Sequence, residues 1–249
     1  MTIADSGAAP TTQQRVIDQY FETTSSRTPF TEAMKADAIK GLDRLLGDWG
    51  AQAGETVVDL GSGMGEGCLF ALSRGAASAT GINLSGGENE LARERVPGAT
   101  FVDTDIVSGL KALPDASVDR IMALNILEHI DKQTLAAVLE EAVRVLKPTG
   151  CLIAMTPNAG SPWGTMTRYW DITHEIAYTP SSFRQIGALC GFGRFAFREC
   201  GPRPHGVVSG IRYVLWQMIR LSIKFRLMVE MASTKGGIYT ADMLTRMAK

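Results

Sequence analysis

The chain has 249 residues, 45% hydrophobic content and a formal net charge of −1, which bounds it as a soluble globular protein of one large α/β domain or two small ones. Its four cysteines (Cys68, Cys151, Cys190, Cys200) make no C-x-x-C pair and no metal-ligand spacing, and no run of about 18 uncharged apolar residues occurs, so a cysteine-built metal site and a transmembrane helix are excluded and a reducing, cytoplasmic setting fits. The charge balance hides an asymmetry: residues 1–200 carry 17 Lys+Arg against 24 Asp+Glu, and residues 201–249 carry 8 against 2.

Residues 1–12 (MTIADSGAAPTT) read as a disordered polar leader without the build of a secretion signal. Residues 13–22 and 31–49 read as helices, with Thr31 as N-cap and Gly50 as stop. Short apolar runs then alternate with amphipathic stretches. TVVDL (56–60), ATGINL (79–84), ATFVD (99–103), VDRIMAL (118–124) and CLIAM (151–155) are predicted strands, and QTLAAVLEEAVRVL (133–146) is a predicted helix. Such alternation implies crossover units and a parallel sheet covered on both faces. RFAFREC (194–200) and IYTADMLTRM (238–247) read as the last strands, with a helical insertion over 207–233 between them.

Directly after the first strand comes VVDLGSGMGEGCLF (57–70), with glycines at 61, 63, 65 and 67 following Asp59. Ligands of such sheets bind beyond the carboxyl ends of the strands, where this turn lies. A dinucleotide fingerprint needs its third glycine at 66, and that position is Glu66. What remains, D-x-G-x-G-x-G from Asp59 to Gly65, resembles the first motif of the class I S-adenosylmethionine-dependent methyltransferases. LPDASVDRIMALNILEHI and EEAVRVLKPTGCLIAMTPN resemble that family's fourth strand, following helix and fifth strand, and the likeness covers residues 50–160.

The resemblance implies a Rossmann-like, mostly parallel seven-stranded α/β sheet with helices on both faces, and S-adenosyl-L-methionine as cofactor. Residues 13–249 are then one methyltransferase domain: helices over 13–50, a cofactor-binding core over 51–160 and an acceptor side over 161–249. Asp59 would attract the cationic donor, directly or through water, and the loop of Gly61, Ser62, Gly63 and Gly65 would cradle it through the main chain. Capping the following helix is the other use open to Asp59. Where relatives place an acid for the ribose hydroxyls this chain has Asn83, followed by Leu84. An amide offers one acceptor and a donor where a carboxylate accepts twice, so Ser85 or Glu88 would take part of the task. Asp105, with Asp103 as a near alternative, and Ile106 stand at the adenine position. Asn125 stands at the methionine end or caps the ILEHI turn, and Glu128 and His129 brace the loop beneath.

The segment 156–192 clusters Trp163, Arg168, Tyr169, Trp170, Asp171, His174 and Glu175. With GPRPHG (201–206) it is similar, more loosely, to bacterial methyltransferases of cell-surface polysaccharides. That likeness implies O-methylation of a sugar or glycan acceptor, free or lipid-linked. Aromatic faces suit sugar rings, although at least one tryptophan is expected to pack internally, and Arg168 suits an acidic sugar or phosphate. His174 is the candidate base, oriented by Asp171 or Glu175, with His205 in reserve; bonding within its own loop is the equal alternative. No cluster demands a metal ion. The insertion places Ile211, Val214, Leu215, Met218 and Phe225 on one helical stripe among Arg212, Arg220, Lys224 and Arg226. A packed lid or homodimer face is its first reading, and peripheral contact with the inner face of a membrane its second. Nucleic-acid binding is not expected. A lipophilic acceptor such as a quinone precursor, and a non-catalytic scaffold in a membrane-associated complex, are the alternative functions.

Overall fold

The computed structural model describes residues 30–232 and 237–249; the expected leader and first helix lie outside the described residues. Helix α1 (Glu32–Leu46) starts at Thr31, whose hydroxyl accepts from the Met34 N–H at 3.3 Å. A 3-10 turn (Gly47–Trp49) carries it to Gly50.

Then follow β1 (Thr56–Leu60), α2 (Glu66–Ser73), β2 (Ser78–Asn83), α3 (Gly86–Arg95), β3 (Thr100–Asp103), α4 (Ile106–Lys111) and β4 (Val118–Leu124). A 3-10 turn (Leu127–His129) leads into α5 (Lys132–Val145), β5 (Leu146–Pro157), α6 (Gly164–Tyr169), α7 (Pro180–Leu189), β6 (Arg194–Glu199), α8 (Val207–Met231) and β7 (Asp242–Ala248). The seven strands form one sheet in the order β3-β2-β1-β4-β5-β7-β6. Pairing is parallel from β3 to β5, and β7 lies antiparallel to both β5 and β6.

Neighbouring strand residues point to opposite faces, and here both faces are covered. Val58, Ile121 and Leu152 join one core with Leu135, Val138 and Leu139 of α5. Val57, Met122 and Ile153 join another with Leu46, Trp49 and Phe70. Below the sheet, Arg120 is buried and donates to both Glu55 carboxylate oxygens, at 2.8 and 2.7 Å, and to the Trp49 carbonyl at 2.9 Å. It ties β4 to the segment entering β1.

Two boundaries differ from the sequence reading. β5 begins at Leu146 rather than Cys151, directly at the end of α5, with a register irregularity opposite Val118–Arg120. β7 begins at Asp242 rather than Ile238, because side chains hold the preceding residues: the Tyr239 N–H donates to Glu199 Oε1, and Thr240 Oγ1 takes the Cys200 N–H and donates to the Asp242 carbonyl.

The insertion forms the expected helix, but α8 is no packed lid. Only Ser209 and Trp216 are buried along its 25 residues. It is anchored on Glu199 of β6, through the Trp216 indole N–H at 3.3 Å and the Arg220 ion pair at 3.2 Å. Ile211, Val214, Met218, Leu221, Phe225 and Val229, at helical spacing, are each more than half exposed.

Removing Arg120 leaves the partly buried Glu55 carboxylate without its partner, so Arg120→Ala is expected to cost about 2–4 kcal/mol of stability. Urea unfolding midpoints read this directly, with an unchanged slope marking an intact fold.

Candidate active site

The strand order reverses between β1 and β4, and their carboxyl ends open a crevice at that switch point. A cavity of about 800 Å³ occupies it. Gly61, Gly63, Asn83, Leu84, Asp105 and Ile106 line one end, Asn125 follows, and Glu128, His129, Trp170, Asp171 and His174 line the other. The fold thus joins most of the residues expected at the donor with three of those expected at the acceptor, Trp170, Asp171 and His174. Asp59, Ser62 and Gly65 stand behind the wall.

The loop after β1 needs its glycines. Gly61, Gly63 and Gly65 have φ of 64°, 47° and 89°, a region that strains any residue with a Cβ. At Gly61 a Cβ would also stand 2.5 Å from Ile126 Cγ1. Beside Gly63 the space is open, with no heavy atom within 4 Å of such a Cβ. The Gly61 N–H bonds the Ile82 carbonyl at 2.8 Å, fixing the loop to β2. Asp59 lies buried beneath it, and burial, with the Glu66 charge adding, pushes its carboxyl up to about 7. Asp59 does not cap α2: the cap residue is Gly65, and no side chain bonds there.

At the end of β2, Asn83 Nδ2 donates to Glu88 Oε2 at 2.9 Å. Glu88 lines the cavity with its carboxyl raised by burial, the bond from Asn83 opposing. A carboxylate therefore stands beside Asn83 in the same wall, supplied from α3. Asp105 lines the cavity and also caps α4, accepting the Ser108 N–H at 2.9 Å; that interaction holds its carboxyl below the usual range. Asp103 instead pairs with Arg93 and Asn89. Asn125 has φ of 57°, a strained conformation for a side-chain-bearing residue, of the kind that gathers at functional sites. The following turn has no side-chain cap, so Asn125 does not cap it.

The acceptor side departs further from expectation. Arg168 is no ligand: its guanidinium donates to the carbonyls of His174 and, at 2.7 Å, Glu175. Trp163 packs on Trp216 of α8, centroids 6.2 Å apart. Tyr169 is largely exposed outside the cavity wall, its ring under the Arg168 cation. Trp170 alone of these four lines the cavity. The His174 Nδ1 bonds the Thr167 carbonyl at 3.0 Å, while Asp171 Oδ1 accepts from Thr173 Oγ1 at 2.6 Å, and Thr173 Oγ1 meets His129 Nδ1 at 2.8 Å. The two imidazoles stand edge to face, centroids 4.8 Å apart. Burial and the nearby His174 lower the His129 pKa. His205 bonds the Arg203 carbonyl, away from the cavity.

Glu128 and His129 do brace the loop, through the main chain: the Glu128 carbonyl accepts the Glu175 and Ile176 N–H groups at 2.7 and 3.2 Å. Their side chains, which the sequence reading left out of the site, face the cavity. Burial pushes the Glu128 carboxyl up to about 8. The fold brings Glu128, His129 and His174 together although nothing in their spacing marks a cluster.

Six acids line the cavity (Glu88, Asp105, Glu128, Asp171, Glu175 and Asp242) and, among the described residues, no lysine or arginine does. That balance, an open main-chain loop and room for a nucleoside fit a cationic sulfonium donor. Residues 57–150 match the family model Methyltransf_25, a methyltransferase domain. Over those residues the chain carries a methyltransferase domain. Phosphoethanolamine N-methyltransferase of Plasmodium falciparum is 26% identical over 123 residues, 48% of this chain and 46% of that protein. The 27-O-demethylrifamycin SV methyltransferase of Amycolatopsis mediterranei is 33% identical over 114 residues, 44% of this chain and 41% of that one. The chain spans less than half the length of the curated relatives it matches. A solved S-adenosylmethionine-dependent methyltransferase from Archaeoglobus fulgidus shares the fold, with a TM-score of 0.61 at 20% identity, covering 94% of this chain and 99% of that one.

In the methyltransferase domain, Asp59 carries a proton below about pH 7 and loses it above. A cationic donor favours the ionised form, so donor affinity is expected to fall as pH drops through that value. Binding near neutrality should release a proton. Calorimetry in buffers of different ionisation enthalpy measures both effects, and Asp59→Asn should remove them together.

Proposed function

We propose that this protein transfers a methyl group from S-adenosylmethionine to a hydroxyl of an uncharged sugar or glycan acceptor. The observation that supports this reading best is the single cavity running from the glycine loop to the His129–His174 pair, acid-lined and without a lysine or arginine among the described residues. An acidic sugar or a phosphate ester would meet repulsion there. A wholly lipophilic acceptor would set apolar atoms against the second ring nitrogen of both imidazoles, whose Nδ1 atoms alone are taken by Thr173 and Thr167, at a cost for each polar group. A hydroxylated ring satisfies them, and Trp170 offers an aromatic face at the rim.

The donor supplies an electrophilic methyl carbon on sulfur. Gly61 and Gly63 hold it through the main chain, with Ser62 and Gly65 shaping the loop and Asp59 contributing charge from behind. Glu88, oriented by Asn83, takes the ribose hydroxyls. Leu84, Asp105 and Ile106 surround the adenine, and Asn125 flanks the methionine end. Methyl transfer needs close alignment above all, and the strap 158–179 supplies it by holding the acceptor against the glycine loop. With Nδ1 given to the Thr167 carbonyl, His174 keeps Nε2 as an acceptor for the hydroxyl proton. His174→Ala is therefore expected to spare donor binding and lower turnover by about 10²–10⁴-fold. Mass spectrometry of products from neutral sugars, acidic sugars and quinone precursors tests the acceptor class; methylation confined to the quinone precursors would overturn the reading.

Helix α8 supports delivery of that acceptor at an anionic lipid surface. Its outward stripe is apolar, Arg212, Lys224 and Arg226 flank it, and Glu230 is its one acid. Self-pairing of the helix would juxtapose basic residues, whereas anionic headgroups complement them. Among the described residues no helix is long and apolar enough to cross a membrane. Sedimentation with phosphatidylglycerol vesicles at low salt, release at high salt, and loss of both in Leu221→Glu/Phe225→Glu are expected. A concentration-dependent dimer abolished by the same pair of substitutions, without vesicle binding, would replace the lipid with a second copy.

A further inference from the structure

We propose that Glu128, His129 and His174 form a divalent-cation site in the acceptor half of the cavity. One carboxylate oxygen of Glu128 and one ring nitrogen of each imidazole lie within 4.8 Å of one another. Ligands about 2.0–2.2 Å from a tetrahedral ion stand roughly 3.4 Å apart, so binding draws the three inward.

Three features separate this cluster from an ordinary buried polar group. First, Glu128 is 1% exposed and its Oε2 has no hydrogen-bond partner. A buried carboxylate oxygen left alone is costly and needs an explanation, and a cation supplies one. Second, both imidazoles are held at Nδ1 by oxygen. The Thr167 carbonyl can only accept, so His174 Nδ1 carries the hydrogen; Thr173 Oγ1 spends its own hydrogen on Asp171, so His129 Nδ1 donates as well. Each ring therefore keeps its Nε2 lone pair, and an oxygen acceptor behind a donating ring N–H is the outer support that metal-ligating histidines use. Third, the surroundings are negative: Asp171 and Asp242 share the lining, while the nearby Arg168 guanidinium is committed to main-chain carbonyls.

Two imidazoles and one carboxylate suit Mn²⁺, Co²⁺ or Zn²⁺ better than the all-oxygen demands of Mg²⁺ or Ca²⁺. Three protein ligands also leave a position open to the cavity, which marks a catalytic rather than a structural site. The role rests on the methyl-transfer reading of the same cavity, although binding of the ion does not. A hydroxyl on the ion loses its proton to water more readily than a free one. Its oxygen then forms the bond to the methyl carbon, and the carbon–sulfur bond breaks with its electron pair left on sulfur. With the ion in place the imidazoles act as ligands, and the ion takes over from His174 the ionisation of the acceptor.

Metal-stripped full-length protein titrated with Mn²⁺, followed by the loss of the free-ion electron paramagnetic resonance signal, should take up one ion per chain. Co²⁺ should give a visible absorption spectrum of low coordination number. Glu128→Gln, His129→Ala and His174→Ala should each weaken uptake at least tenfold, with S-adenosylmethionine calorimetry certifying the folded donor site in every variant. Uptake that persists in the triple variant, or no uptake of Mn²⁺, Co²⁺ or Zn²⁺ at millimolar concentration by the parent, overturns the site. Methyl transfer that survives chelation while no metal binds would also overturn it and leave the function standing; one bound ion without transfer to any hydroxyl would do the reverse.

Discussion

A chain leaving the centre of a parallel sheet must turn within a few residues, and here the turn has no room for a side chain at residues 61 and 65. Gly61 passes against Ile126 and Gly65 against the Phe101 ring, each with positive φ. The main chain therefore faces the cavity unscreened at Gly63. Everything else in the donor half is arranged around that bare segment: β2 fixes it through the Ile82 carbonyl, which takes the Gly61 and Ser62 N–H groups, and Asp59 lies beneath. The buried charge follows from the same geometry. α2 starts so close to β1 that a Cβ at Gly67 would collide with the Asp59 carboxylate, so that acid is held away from water and responds to charge above it rather than to solvent.

The sequence carried the frame because the frame is periodic. Short apolar runs marked the strands, the glycine spacing marked the turn, and Thr31 marked the first described helix. Local chemistry was less legible where one residue type can serve two ends. An arginine beside aromatic residues reads as a ligand until the carbonyls of residues 174 and 175 are seen to take its hydrogen bonds. Asn83 reads as a ribose site helped by Ser85 or Glu88, and only the turn of α3 separates the two: Ser85 caps the helix while Glu88 bonds Asn83. The Glu128–His129–His174 cluster was illegible for a different reason. Its members lie in the segments that follow two adjacent strands, β4 and β5, and 44 residues of unrelated helix and strand separate the histidines in the chain. The signal that could have found them is topological: LEH and THE each lie in the segment just past a central strand, and in this fold those segments share one edge.

Charge is partitioned by position rather than balanced in place. Six acids line the cavity, and four of the eight basic residues in the last 49 stand on α8. A net charge near zero therefore describes neither surface. An acid-lined cavity favours cationic ligands and rejects phosphate-bearing ones, while a basic helix favours anionic surfaces. Exchanging the two would place repulsion at both. The two regions touch through Trp163 and Trp216, so the start of the acceptor strap rests on the helix that carries the positive charge.

The strap itself is held mostly by main-chain bonds. The Glu128 carbonyl takes two N–H groups from residues 175 and 176, Arg168 closes on carbonyls of its own segment, and Asn158 bridges in parallel to Tyr178. Apart from the Arg168 guanidinium, these bonds use backbone atoms on both sides, so most of the strap's hold does not depend on the identity of the side chains around it. Trp170 and Ile172, largely exposed where the strap passes the cavity mouth, take no part in those main-chain bonds. On the proposed reading, positions 170 and 172, which would shape the acceptor, are thus separated from the positions that hold the strap, and substitution at them would change the acceptor while the imidazoles and the glycine loop stay in place.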